Sequence, residues 1–112
     1  MSVTVRVLIP AKIAVASDTT QYTAPTGVTA IIDKFTATNY SATTATISVN
    51  LVTSADTAGN QNLIVKTKSI QPSETYTFPE LVGQPLGPGG FISTIASNAT
   101  GINIRASGRE VT

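Results

Sequence analysis

At 112 residues, with 41% hydrophobic and 12% charged residues and a net charge of +1, the chain is sized for one domain around one core. That balance excludes intrinsic disorder, which needs low hydrophobicity with high net charge, and it leaves no electrostatic footprint for nucleic acid. Histidine and cysteine are both absent. This removes the commonest general base and metal ligand, the best nucleophile, any Ser–His–Asp arrangement and any disulfide.

The 19 Thr, 11 Ile and 10 Val are β-branched, stiff at χ1 and suited to a pleated sheet. With no long stretch of 3.6-residue periodicity, the expectation is all-β: a single antiparallel β-sandwich of about eight strands, jelly roll preferred over an immunoglobulin-like sandwich. Val3 to Ile9 alternates strictly, placing Val3, Val5, Val7 and Ile9 on one face, read as buried, with Thr4 and Arg6 opposite. Pro10 ends this strand or confines it to an edge, because proline has no N–H to donate. A short apolar piece, Ile13 to Val15, follows.

Gln21 to Ala24 is a short strand closed by Pro25-Thr26-Gly27. Val28 to Thr38 is a long one, with Ile31, Asp33, Phe35 and Ala37 on one face; Asp33 sits awkwardly there unless near the rim. Thr44 to Thr53 alternates, with Ile47, Val49 and Leu51 inward and Thr46, Ser48 and Asn50 outward. Asp56 to Asn62 reads as a loop, Leu63 to Ile70 as a strand, Gln71-Pro72-Ser73 as a turn and Glu74 to Phe78 as another strand. Gly83 to Gly90, with four Gly and two Pro, is expected to be irregular. Phe91 to Ala96 and Gly101 to Val111 are the last strands. No linker divides the chain, so one domain is expected. Residues 1–16 form an N-terminal strand that can serve as a docking arm ahead of the sandwich body at 17–112.

Candidate chemistry is sparse. The carboxylates Asp18, Asp33, Asp56, Glu74, Glu80 and Glu110 form no close motif, so no enzyme activity, cofactor or metal is expected. Asp56-Thr57-Ala58-Gly59-Asn60 offers oxygen ligands of the kind hard cations take, but the plainer reading is a hairpin turn. The glycine-rich Gly83–Gly90 lacks the Lys-Thr and the helix of a phosphate loop; its backbone is expected to approach its own sheet or a neighbouring subunit. Lys66 with Lys68, and Arg105 with Arg109, fall on common strand faces. Each pair is either a solvated or edge-protecting face, or a basic face that docks on an acidic subunit.

Asn39-Tyr40-Ser41 and Asn98-Ala99-Thr100 match the N-glycosylation pattern. They read as chance matches, since Met1 is not followed by a secretory signal. No apolar run approaches the roughly 18 residues of a spanning helix, and synthesis in a cytoplasm is expected. The surface strand positions are mostly Thr, Ser, Asn and Ala. They are small, low in side-chain entropy and able to hydrogen-bond, which suits contact with protein neighbours.

Four stretches carry a resemblance. Tyr22-Thr23-Ala24-Pro25-Thr26-Gly27-Val28-Thr29-Ala30-Ile31-Ile32-Asp33-Lys34-Phe35 looks like the opening hairpin of small structural proteins of tailed-phage virions. Ile70-Gln71-Pro72-Ser73-Glu74 and Leu86-Gly87-Pro88-Gly89-Gly90-Phe91-Ile92 are similar to their paired "L-x-P-G-E" and "L-x-x-G-D-x-I" turns. Ile102-Asn103-Ile104-Arg105-Ala106-Ser107-Gly108-Arg109-Glu110 resembles their closing strand. Ser73 stands where glycine is commoner, and Gly90 where an acidic residue is commoner.

The resemblance implies a non-enzymatic capsid decoration, or cement, protein of the jelly-roll type. It would be made in the bacterial host cytoplasm and carried on the outer capsid surface. Its partners would be the major capsid protein and copies of itself as a dimer or trimer, with no nucleic acid, membrane or small-molecule substrate. A tail, neck or fibre-attachment component is the alternative. A carbohydrate-binding module is a third, for which only Tyr22, Tyr40 and Tyr76 offer aromatic platforms. The expected interface residues are Val3, Val5, Arg6, Val7, Lys66, Lys68, Arg105 and Arg109.

Overall fold

The computed structural model describes residues 2–112. Nine strands follow in chain order: β1 (Val3–Ile13), β2 (Thr19–Thr23), β3 (Thr29–Asn39), β4 (Ala45–Val52), β5 (Leu63–Ile70), β6 (Thr75–Thr77), β7 (Pro85–Leu86), β8 (Phe91–Ala96) and β9 (Ile102–Val111). They form two antiparallel sheets. The larger runs β1-β9-β3-β6, with β7 also on β3; the smaller runs β2-β8-β4-β5.

With β6 and β7 taken as one interrupted strand opposite β3, the pairs nest as β1 with β9, β2 with β8, β3 with β6/β7 and β4 with β5. The two halves of the chain therefore lie antiparallel along their length and meet at the β4–β5 connection. This long double ribbon is rolled so that β9 also meets β3, and β8 also meets β4. That is the jelly roll, with its ends tied by Ser2 and Thr112, whose backbone groups exchange hydrogen bonds.

The core between the sheets is filled by Ile9, Ile32, Phe35, Ile47, Val49, Ile70, Phe78, Leu81, Ile92, Ile102 and Ile104, all fully buried. Phe35 and Phe78 meet edge-to-face at 5.0 Å. Tyr76 stacks on Phe78 in the same manner and takes the Lys68 ammonium over its ring, closing the side where β5 faces β6.

Several elements depart from strict alternation, each for a local reason. Val3, Val5 and Val7 are not buried: they are 53%, 81% and 48% exposed. β1 is an edge strand, and no described residue covers these valines on the outer side of its sheet. The register slips between Val7 and Ile9, and this bulge lets the adjacent Leu8 and Ile9 both enter the core. Pro10 does not end the strand; it lies within β1, on the edge where a missing N–H is tolerated. Residues 1–16 thus include a full strand of the larger sheet, paired with β9 from Val3 to Ile13.

In β3 a second bulge, between Ile32 and Lys34, resets the alternation. Ala30 and Ile32 point inward before it, Phe35 and Ala37 after it, and Asp33 is left exposed. Ile31 and Asp33 therefore do not share the inner face of Phe35. Ser48 and Asn50 face outward from β4 as expected, yet both are buried. Ser48 Oγ accepts from the Thr67 N–H, and the Asn50 amide donates to Gly59 O and Asn62 Oδ1, which pins the 53–62 loop over the sheet.

The glycine-rich stretch contains β7, a strand not expected from the sequence. Its backbone approaches its own sheets: Gly83 N donates to Ile32 O, and Gly89 N to Ala24 O. At Gly90 a Cβ would lie 3.0 Å from Gly87 O and 3.2 Å from Val52 O, so the acidic residue commoner there would crowd two backbone oxygens. Ser73 sits after Pro72 with φ 65°, and Glu74 N bonds Gln71 O. These are the marks of a type II turn, which favours glycine at that position.

Candidate protein-docking face

The outer face of the larger sheet is built by β1, β9 and β3. Ile104 and Ala106 of β9 point into the core, so Arg105, Ser107 and Arg109 point out. The register places Val5, Arg109 and Ile31 in one row across the three strands, and Val7, Ser107 and Lys34 in the next. Arg105 lies opposite Thr36, one step further along. Arg105 and Arg109 therefore do share a face, as expected.

Their electrostatic states differ. Arg109 grips the Asp33 carboxylate with two nitrogens at 2.9–3.2 Å, and this hydrogen bonding holds its guanidinium pKa above the usual range. Asp33 can reach it because the β3 bulge turns the carboxylate outward. Lys34 and Arg105 have no carboxylate partner among the described residues. With Thr36 and Ser107 they line a shallow depression of about 300 Å³. The face thus carries an apolar row, Val3, Val5 and Val7, along its free side, with two unpaired cations further in.

The other expected residues are placed elsewhere. Arg6 lies on the opposite side of β1 from the valines and donates from Nε to Glu110 Oε1 at 3.1 Å; Glu110 Oε2 accepts the Tyr22 hydroxyl at 2.6 Å. This links β1 and β9 of one sheet to β2 of the other. Burial raises the Tyr22 pKa, and the bond to Glu110 raises it further.

Lys66 and Lys68 do not share a face. The register skips from Val65 to Lys68, leaving Lys66 and Thr67 as a bulge with Thr67 at φ 44°. Lys66 lies beside Ser48 and Asn50 on the outside of the smaller sheet, whereas Lys68 turns to the side of the sandwich and caps the Tyr76 ring at 4.5 Å.

Lys34 was not singled out in the sequence, although alternation from Phe35 already set it outward with Thr36; the residues that strict alternation set on the wrong side were Ile31 and Asp33. A charged residue on a presumed buried face was the available signal of a bulge.

Other candidate features are used internally. The Asp56 carboxylate accepts from Thr57 N at 2.8 Å and, at 3.4 Å, from the Gln61 and Asn62 amides; it closes its own loop. Among the described residues no group of three or more His, Cys, Asp or Glu could hold a metal ion. The groove beside the glycine-rich stretch, about 280 Å³, is lined by Leu51, Ile64, Pro85, Leu86 and Pro88 with backbone and small polar groups, and no charged side chain enters it.

Asn39, the first residue of one glycosylation match, is fully buried. Its amide donates to Thr43 O and Ile70 O, and its Oδ1 accepts from Ser41 N and Oγ. The Tyr76 hydroxyl is taken by Glu80 and that of Tyr22 by Glu110, which leaves Tyr40 as the one well-exposed tyrosine ring. No protein-family model, curated protein or solved structure matches the chain.

Proposed function

We propose that this chain is a non-enzymatic structural subunit that works by binding protein neighbours, in first place a decoration protein on the outside of a tailed-phage capsid. The observation that carries the reading is the outer face of the larger sheet. It is a strand surface with exposed Val3, Val5 and Val7 beside Lys34 and Arg105, two cations with no carboxylate of their own chain to satisfy them. A capsid surface carrying carboxylates would pair these cations while covering the valines. Charge complementarity would set the orientation and apolar contact would add affinity. The small Thr29, Thr36 and Thr38 on the same strands lose little side-chain entropy on contact. The phage assignment is supported by the motif resemblance of residues 20–112, and the jelly roll is the architecture that resemblance implies.

The test is a binding assay on purified heads. Wild-type protein is expected to bind them in high copy number, more weakly as salt rises. The double reversal Lys34→Glu with Arg105→Glu is expected to lower head affinity at least about tenfold. Both side chains are exposed, so its thermal midpoint should stay close to wild type. Absence from heads together with presence in isolated tails would replace the capsid reading with a tail or neck role. Unchanged head binding by the double reversal would refute the proposed face.

A further inference from the structure

We infer that the first half of β1 is a self-pairing edge: two copies of this chain join through antiparallel β1–β1 pairing about a two-fold axis at Val5. This extends the subunit-binding reading by naming the edge and the partner, and rests on that reading only for what the dimer is used for.

The inference begins with hydrogen-bond direction. Ser2 and Thr112 exchange both backbone bonds, which makes them a hydrogen-bonded pair of the β1–β9 ladder. Such pairs alternate along antiparallel strands, so Thr4 opposite Glu110 and Arg6 opposite Gly108 are of the same kind. The N–H and C=O groups of Val3, Val5 and Val7 consequently point away from β9, along the free edge. The same residues expose their side chains on the outer face.

Every other edge carries a device that blocks pairing. β5 has Lys66 and the Thr67 bulge, β6 and β7 are three and two residues long, and β2 is interrupted by a register shift between Thr20 and Tyr22. The second half of β1 is broken by slips on both sides of Ile9 and by Pro10. Val3–Val7 has none of these. Its one charge, Arg6, is already taken by Glu110.

Symmetry then selects the register. A two-fold axis at Val5 sets Val5 opposite its own copy and Val3 opposite Val7, so all outward N–H and C=O groups of the three valines find partners. The valines of both copies form one continuous apolar patch on the joined outer face, and Arg6 meets Thr4. Shifting the axis to Arg6 would set two guanidinium groups directly opposite. A five-residue edge buries far less than the roughly 1,600 Å² of a standard stable interface. The dimer is therefore weak and concentration-dependent, favoured where copies are crowded on a surface.

The chain has no cysteine, so single cysteines report the register directly. Hydrogen-bonded antiparallel partners have Cα atoms about 5.5 Å apart, within disulfide reach. Val5→Cys is expected to form a disulfide-linked dimer on mild oxidation of the isolated protein. Val3→Cys alone is not, because its copy would lie about 13 Å away along the strand, but an equal mixture of Val3→Cys and Val7→Cys is expected to link as the mixed pair. In sedimentation up to about 1 mM, wild type should show a rising dimer fraction. Val5→Lys, which opposes two ammonium groups, should remain monomeric with an unchanged thermal midpoint.

Val3→Cys linking to itself as readily as Val5→Cys, dimerisation of Val5→Lys at wild-type strength, or a monomeric wild type throughout would each overturn the inference. Failure of Val5→Lys to bind heads while wild type stays monomeric would assign the edge to another protein's strand instead. None of the first three measurements involves a capsid, so loss of the decoration reading leaves the dimer standing, and the reverse holds as well.

Discussion

Asn39 is a buried side chain with every hydrogen-bonding group in use. It joins the end of β3 to the Ser41–Thr43 turn and to Ile70 at the end of β5. Replacing it by alanine would strand the buried Ile70 O without a donor and remove the bonds that hold Ser41 N and Thr43 O, and a buried unpaired group costs more than the bond it loses. Asn39→Ala is expected to lower stability by about 3 kcal/mol in chemical denaturation, while Ser41→Ala costs about 1 kcal/mol. Equal costs for the two would mean that the amide is not the organising group. The sequence offered Asn39 only as a glycosylation match. Nothing in Asn-Tyr-Ser distinguishes an exposed acceptor from a buried brace, because the carbonyls it serves lie at positions 43 and 70 and come near only when the sheets pack.

At the scale of elements, β9 runs between two bulged neighbours. The extra residue in β1 is near Leu8, opposite Ser107–Ala106, and the one in β3 is Asp33, opposite Gly108–Ser107, and between them Leu8 and Ile31 close in on Gly108. A Cβ there would clash with Ile31 O and lie 2.9 Å from Leu8 Cδ1. The first is backbone and cannot swing aside. Gly108→Ala is therefore expected to cost about 3 kcal/mol or to prevent folding, whereas alanine at Gly87, which has nothing within 4 Å, should be close to neutral; parallel melts of the two variants decide it.

This pair of bulges is also what shapes the docking face. It sends Asp33 outward to Arg109 and brings Leu8 and Ile9 together into the core. Strand existence was legible in the sequence: Leu63–Ile70 and Phe91–Ala96 have the expected bounds, and most others differ by a residue or two. Bulges were not legible, since an extra residue preserves composition and only reverses which side chains face inward. Val3, Val5 and Val7, Asp33, and the pair Lys66 and Lys68 were all assigned by unbroken alternation, and all were affected.

For the whole molecule, the nested pairing sets the chain ends together, with Val111 between Val3 on one side and Thr29 on the other. The Arg6–Glu110–Tyr22 cluster ties the two sheets at one side, and Lys68 over Tyr76 does so at the other. The fold holds Tyr22 neutral, with its folded pKa above the ordinary value of about 10. That contribution is fully present below pH 10 or so and is lost as pH rises above it, because the unfolded chain then releases a proton that the folded one keeps. Tyr76 is shifted in the same direction by its bond to Glu80. The thermal midpoint should thus fall above about pH 10. In Tyr22→Phe that fall should be shallower without vanishing, on a baseline lowered by about 1 kcal/mol at neutral pH; an identical alkaline slope in the two proteins would contradict this account.

The sequence by itself determined the fold class. β-Branched residues in short alternating runs, punctuated by Gly, Pro, Asn and Asp, suffice for an antiparallel sandwich, because those preferences act over a few neighbouring residues. The tertiary structure decided which side of each strand is buried and which strand is left at an edge. It also decided that Lys34 joins Arg105, that Arg109 is paired, and that Lys66 and Lys68 part. These depend on pairings up to 108 positions apart in the chain and on bulges that arise only when two strands of unequal local length are laid side by side.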